Sequence, residues 1–206
     1  MKRKTIWVAA LLLLSLSTIA SAAPFEKIPG GGLRHKASGV VFPGRVGVFH
    51  FIGTKYYGSS GRDVGAEYDF EPLIRGDVYV YPLGTYGKDF NAELRIQQNA
   101  INKINKAVKL VSQSRCQLNQ MGRNLTGVRV QYDLTRDIFQ SKARRCGSQL
   151  YLFRDGPWLI AYRFSYPIEQ AGAASKSIAD FLRLWQWRLR GTVTRLEQAS
   201  ADGRHS

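Results

Sequence analysis

Apolar residues recur along the chain first with the period of strands, then of a helix, then of strands and a helix again. Val46, Val48, His50 and Ile52 alternate with Gly47, Phe49, Phe51 and Gly53, and Val40 to Phe42 precedes them as a first strand. Ala66, Tyr68 and Phe70 fall on one face of a strand whose other face carries Glu67, Asp69 and Glu71, the period-2 pattern of a half-buried strand. Past Pro72, a turn around Arg75-Gly76-Asp77 leads to Val78-Tyr79-Val80-Tyr81, β-branched and aromatic up to Pro82, as strands prefer. These segments predict an antiparallel meander. Residues 23–39, with Pro24, Pro29 and Gly30-Gly31-Gly32, predict an irregular lead-in.

Asp89 is placed to cap a long helix, because Leu94, Ile101, Ile104, Val108 and Val111 recur at spacings of 7, 3, 4 and 3. The polar face of that helix carries Lys103, Lys106 and Lys109. Strand alternation returns at Val128, Val130, Tyr132 and Leu134, and Arg154-Asp155-Gly156-Pro157 turns Gln149–Phe153 into Trp158–Tyr166. A second amphipathic helix follows, with Ala174, Ile178, Phe181, Trp185 and Leu189 on one stripe. The order predicts an α/β fold of α+β type: a mainly antiparallel sheet packed by two long amphipathic helices in an αβα-like sandwich. One globular domain over residues 40–198 and a polar tail at 199–206 complete the expected organisation.

The run Gly65-Ala66-Glu67-Tyr68, followed by Asp77-Val78-Tyr79-Val80-Tyr81-Pro82 and a helix, resembles the PsbP-like fold group. The Asp155-Gly156-Pro157-Trp158 hairpin and the closing helix fit that order over residues 40–190. The resemblance implies the same architecture and a role in binding other proteins without catalysis. It carries no functional residue over to a position of this sequence.

The first 22 residues change the picture of the compartment. Lys2-Arg3-Lys4 precede an apolar run from Ile6 to Ala20, and Ala20-Ser21-Ala22 supplies the small residues of a cleavage site. Fifteen residues of helix cover about 22 Å, short of the roughly 30 Å of a hydrocarbon core. A signal peptide cleaved after Ala22 is expected, and with it a periplasmic or secreted protein. Cys116 and Cys146 are then expected to pair in a structural disulfide, since export favours oxidation. Removing 22 of the 206 residues leaves 184, and the formal charge falls from +15 to +12 as three cations leave.

That charge is uneven. Residues 23–93 are neutral overall, 94–175 carry +9 and 176–206 carry +3. Lys103, Lys106, Lys109, Lys142, Arg144 and Arg145 are candidates for an anion- or partner-binding surface, as are Arg183, Trp187, Arg188 and Arg190 near the end. Trp185 and Trp187 stand about 200° apart on a helix. Either one packs inside while the other faces solvent, or both edge a wide apolar face. Expected partners are another envelope or secreted protein, or anionic lipid, acidic glycan or nucleic acid held by charge.

Catalytic patterns are sparse. No G-x-S-x-G elbow and no phosphate loop occur, and no cofactor is implied. Arg75-Gly76-Asp77 is ordinary turn chemistry, and Asn124-Leu125-Thr126 is a glycosylation acceptor only in a eukaryotic setting. The alternative to a non-catalytic binding module is a hydrolase or metal-dependent enzyme. It would use Glu67, Asp69 and Glu71, spaced about 6.5–7 Å along one strand face, together with His50.

Overall fold

An eight-stranded antiparallel sheet organises the computed structural model, which describes residues 23–70, 73–138 and 141–187. The expected signal segment 1–22 and the expected tail 199–206 lie outside the described residues. Strands β4 (Arg45–Val46), β5 (Phe49–Tyr57), β6 (Asp63–Phe70) and β7 (Ile74–Pro82) form one meander. Strands β8 (Lys106–Gln120), β9 (Arg123–Ile138), β10 (Ser141–Asp155) and β11 (Trp158–Pro167) form a second. The two join where β11 pairs antiparallel with β7, giving the order β4-β5-β6-β7-β11-β10-β9-β8.

Helix α1 (Phe90–Ile104) carries the chain from the middle of this sheet to its far edge. The span from β7 to β8 is four strand spacings, about 19 Å, and 15 residues of helix reach about 22 Å. Asp89 caps α1 as expected, its Oδ1 accepting from the Ala92 N–H at 2.8 Å. The helix stops earlier than the spacing of Val108 and Val111 predicts. Asn105 is extended, and its Nδ2 donates to the Ile101 carbonyl at 2.7 Å, capping the last turn. Lys106, Val108, Lys109 and Val111 therefore belong to β8.

Alternate residues of the central strands feed two cores. On one face α2 (Ala171–Leu184) buries Ala174, Ile178 and Phe181 against Tyr68, Val78, Val80, Tyr162 and Phe164. On the other, α1 buries Leu94 and Ile101 against Tyr81, Val130, Leu150, Leu152, Leu159 and Ala161. All ten residues of β11 are buried, which requires cover on both faces. In place of two long helices, the structure has helices of 15 and 14 residues. The second ends at Leu184, and Trp185 to Trp187 continue outside it, so the helical angle between the two tryptophans does not apply. Both are 1% exposed.

The lead-in is ordered rather than irregular. Strands β1 (Phe25–Ile28), β2 (Gly32–His35) and β3 (Val41–Phe42) form a separate three-stranded antiparallel sheet. Gly30 and Gly31, at φ 84° and 79°, supply the left-handed turn between β1 and β2 that a residue with a side chain disfavours. His35 anchors this sheet. Its Nε2 donates to the Gly61 carbonyl at 2.8 Å, so its Nδ1 accepts from the Ser38 hydroxyl at 2.7 Å. Its ring lies edge-on to Trp158.

Burial holds the His35 pKa below its ordinary value. A folded-state pKa below the unfolded one gives stability that is present above about pH 6.5 and lost as pH falls, because the unfolded chain takes up the proton first. The melting temperature should therefore drop between pH 6.5 and pH 5, and drop less steeply in His35→Asn. Equal slopes in thermal melts of the two proteins would show that His35 is not the group responsible.

Candidate functional site

The strand register gathers one set of the basic candidates. Lys106 of β8 and Arg145 of β10 both oppose Thr135 of β9, Lys109 opposes Asp133, and Arg144 opposes Arg136. With Lys103 in the last turn of α1 and Lys142 at the start of β10, these side chains occupy one corner of the sheet. Carboxylates are interleaved. Arg145 is paired with Asp133 and Arg144 with Glu169, and the Arg145 hydrogen bond holds the Asp133 carboxyl below its ordinary range. A depression of about 330 Å³ opens there between Asn105, Lys106, Thr135, Arg136, Asp137 and Ala143.

Both neighbours of β9 are bulged at this corner. The register shifts between Lys106 and Lys109 in β8 and between Ser141 and Arg144 in β10. Ala107 and Ala143, one in each bulge, adopt φ 48°. An alanine held in the left-handed region costs roughly 1–2 kcal/mol, and bulges re-aim the side chains that flank them.

The other candidates do not join this corner. Arg183 forms an ion pair with Asp180 at 3.0 Å within α2. Trp187 is buried and its backbone N–H donates to the Gln120 Oε1 at 3.1 Å, so it is a core residue rather than a contact residue. Arg188 and Arg190 lie outside the described residues.

The expected disulfide is corrected by the same register. Cys116 opposes Gly127 of β9 and Cys146 opposes Leu134, seven residues apart on a strand rising about 3.4 Å per residue. Roughly 24 Å along the sheet, with β9 between them, separates thiols whose Cα atoms would have to lie within about 7 Å. Cys116 also packs on the α2 side and Cys146 in the core under α1. Both are free. Burial pushes the Cys116 thiol up to about 11 and raises Cys146 as well, so neither is an activated nucleophile.

The carboxylates of the enzyme alternative are spread along β6. Glu67 pairs with Lys55. His50 and Asp69 are register partners and share an open depression with Arg45, Val48 and Ile52, which Glu67 does not line. Glu71 lies outside the described residues. Among the described residues no three His, Cys, Asp or Glu side chains are grouped to hold a metal ion.

A deeper cleft, of about 300 Å³, lies between α1 and the sheet. Its floor is Tyr79, Tyr81 and Leu150, its wall Ile101, and Arg163 of β11 stands at one end. At the other end the Tyr86 hydroxyl donates to Asp63, whose carboxyl burial raises above its usual range. Tyr86 is held there by Glu93 of α1, whose Oε1 accepts from the backbone N–H groups of Gly84, Tyr86 and Gly87 at 3.2, 3.0 and 3.0 Å. Gly65 lets the rings of Tyr57 and Tyr79 meet, since a Cβ there would stand 3.3 Å from Tyr79. The sequence reading missed this cleft, because its polar residues come from β5, β6, β7, β11, α1 and the loop before α1. A lone arginine among the apolar residues of Trp158–Tyr166 was the available signal.

No family model matches the chain, and no curated protein matches it. Solved structures do, among them these two. One is a protein of unknown function from Pseudomonas aeruginosa, at 10% identity and a TM-score of 0.43, covering 77% of this chain and 92% of that one. The other is the cyanobacterial PsbP, CyanoP, from Synechocystis, at 10% identity and a TM-score of 0.42, covering 84% of this chain and 96% of that one. The chain is similar to a PsbP protein. Neither likeness brings an activity, a partner or a compartment with it. Among the described residues no helix is long and apolar enough to cross a membrane.

Proposed function

We propose that the chain is an exported, non-catalytic binding module that docks an acidic surface of another envelope or secreted protein at its basic corner. The carrying observation is the register that sets Lys106, Lys109, Arg144 and Arg145 around residues 133–137 of β9, with Lys142 in the bulge before Arg144. The paired bulges with strained Ala107 and Ala143 support it, because backbone strain tends to be retained where a surface is used. The interleaved Asp133, Asp137 and Glu169 favour a partner with its own pattern of charge over a uniform polyanion. Export rests on the signal pattern of residues 1–22; the free cysteines remove the redox argument for it.

Capture from envelope and secreted extract tests this, using the mature protein and the doubly reversed Lys106→Glu/Lys142→Glu. The native chain should retain a defined protein that the double variant binds at least tenfold more weakly, while Arg183→Glu leaves retention unchanged. Retention of nucleic acid, glycan or lipid alone, lost steeply with salt, would replace the protein partner by a polyanion. Retention that ignores the double reversal would remove the corner from function.

A further inference from the structure

The cleft under α1 adjoins the basic corner, Ile104 lining both, and has a chemistry of its own. We propose that it binds a small monocarboxylate with a flat apolar body, the carboxylate on Arg163 and the body along Tyr79 and Tyr81.

Arg163 is 8% exposed, and its Nε and Nη2 have no hydrogen-bond partner. Unmade N–H groups on a buried guanidinium are unfavourable and uncommon, and the planar fork of nitrogens fits a carboxylate with two parallel hydrogen bonds. The protein does not supply that carboxylate. Asp77, opposite Arg163 in the register of β7 and β11, is the near acid, and it lies within the field of Arg136 as well. Arg136 donates from Nη1 to the Ser165 hydroxyl at 2.9 Å. The hydroxyls of Tyr79 and Tyr132 also act on Arg163. Glu67, opposite Asp77 on β6, is already paired with Lys55, and the Arg163 Nε and Nη2 groups keep their donors for a ligand.

Apart from Asp63 and Gln97, the rest of the cleft is lined by aromatic and aliphatic residues and is open at its mouth. Ile104 and Tyr86 on its rim are 65% and 46% exposed, and Ile96 and Tyr57 are exposed beside them. A ring-bearing ligand would cover that surface. The volume lies at the small end of the roughly 300–1,000 Å³ of ligand clefts. Four residues of β7 separate the levels of Tyr81 and Asp77, about 13 Å of length. Asp63 stands one residue beyond the Val64–Val80 pair of β6 and β7, at the end away from the level of Asp77 and Arg163. It disfavours a second negative charge there, so the ligand carries one anionic end only.

Isothermal titration with naphthoate and its neutral counterpart naphthylmethanol tests the assignment on the whole mature chain. Naphthoate should bind at least tenfold more tightly than the alcohol. Arg163→Gln should weaken naphthoate at least tenfold. Ala100→Trp, at an exposed α1 position lining the cleft, should do the same by filling the mouth without touching the interior, and it decides the matter if the arginine variant does not fold. Lys109→Glu/Lys142→Glu, at corner residues that do not line the cleft, should leave naphthoate binding unchanged, which separates this site from the basic corner. No binding, equal binding of acid and alcohol, or indifference to Ala100→Trp would overturn the proposal.

Discussion

Trp185→Ala is expected to lower folding stability by about 3–5 kcal/mol, the range for removing a buried tryptophan. For a chain of this size that corresponds to a melting temperature lower by roughly 10 °C. Trp185 stands just past the end of α2, and its ring meets Phe42, Tyr68, Tyr162, Phe181 and Trp187 at centroid distances of 5.5 to 6.3 Å. Its Nε1 donates to the Val41 carbonyl at 2.8 Å. One side chain thus joins the small sheet, the large sheet and α2. Trp185→Phe keeps most of the ring contact and leaves the Val41 carbonyl without its donor, so it should lose about 1–3 kcal/mol. Urea denaturation followed by circular dichroism measures both. A Trp185→Ala midpoint close to the native value would show that the three elements hold together without it.

Glu93→Ala is expected to be the other strongly destabilising change, at about 3 kcal/mol, because three backbone N–H groups lose their acceptor together. Glu93 is fully buried, and its Oε1 alone receives all three while Oε2 has no partner. Glu93→Gln retains an oxygen in the position that matters. It should therefore keep most of the stability, losing only the extra strength of a charged acceptor. The glutamine variant falling as far as the alanine one would locate the stabilisation in the negative charge rather than in the acceptor geometry. Gly87 shares this arrangement, since a Cβ there would stand 2.7 Å from the Glu93 nitrogen.

Several elements were legible because local chemistry and burial agree. Asp89 caps α1, and the Asp155-Gly156-Pro157-Trp158 turn closes the hairpin of β10 and β11. Ala66 and Tyr68 face the core opposite Glu67 and Asp69. The residues that misled did so for physical reasons. Val108 and Val111 continue the spacing of α1 while lying in β8, an edge strand of Ser, Gln, Lys and Arg with little apolar alternation to mark it. Trp187 reads as a surface residue only if the helix continues, and the chain leaves the helix at Leu184. The cysteine pairing followed from compartment and count, neither of which contains the register of β9.

At the corner, sequence proximity identified Lys142, Arg144 and Arg145 and could not tell that Lys106 and Lys109 would arrive from the far side of β9. Arg163 and Asp77 are 86 positions apart and meet only because β11 returns to pair with β7.

The Trp185 hydrogen bond to Val41 spans 144 positions, so the two ends of the described chain complete one another. Contacts this distant in sequence form late, after the entropy of closing the intervening loop has been overcome. During synthesis β1 to β3 emerge first and wait for residues 181–187 before their apolar side is covered. The N-terminal strands therefore depend on the very end of the fold, and a ribosome stalled before Phe181 would hold a nascent chain with Phe42 and Tyr68 lacking their aromatic partners. A chain kept unfolded until translation is finished would avoid that exposure.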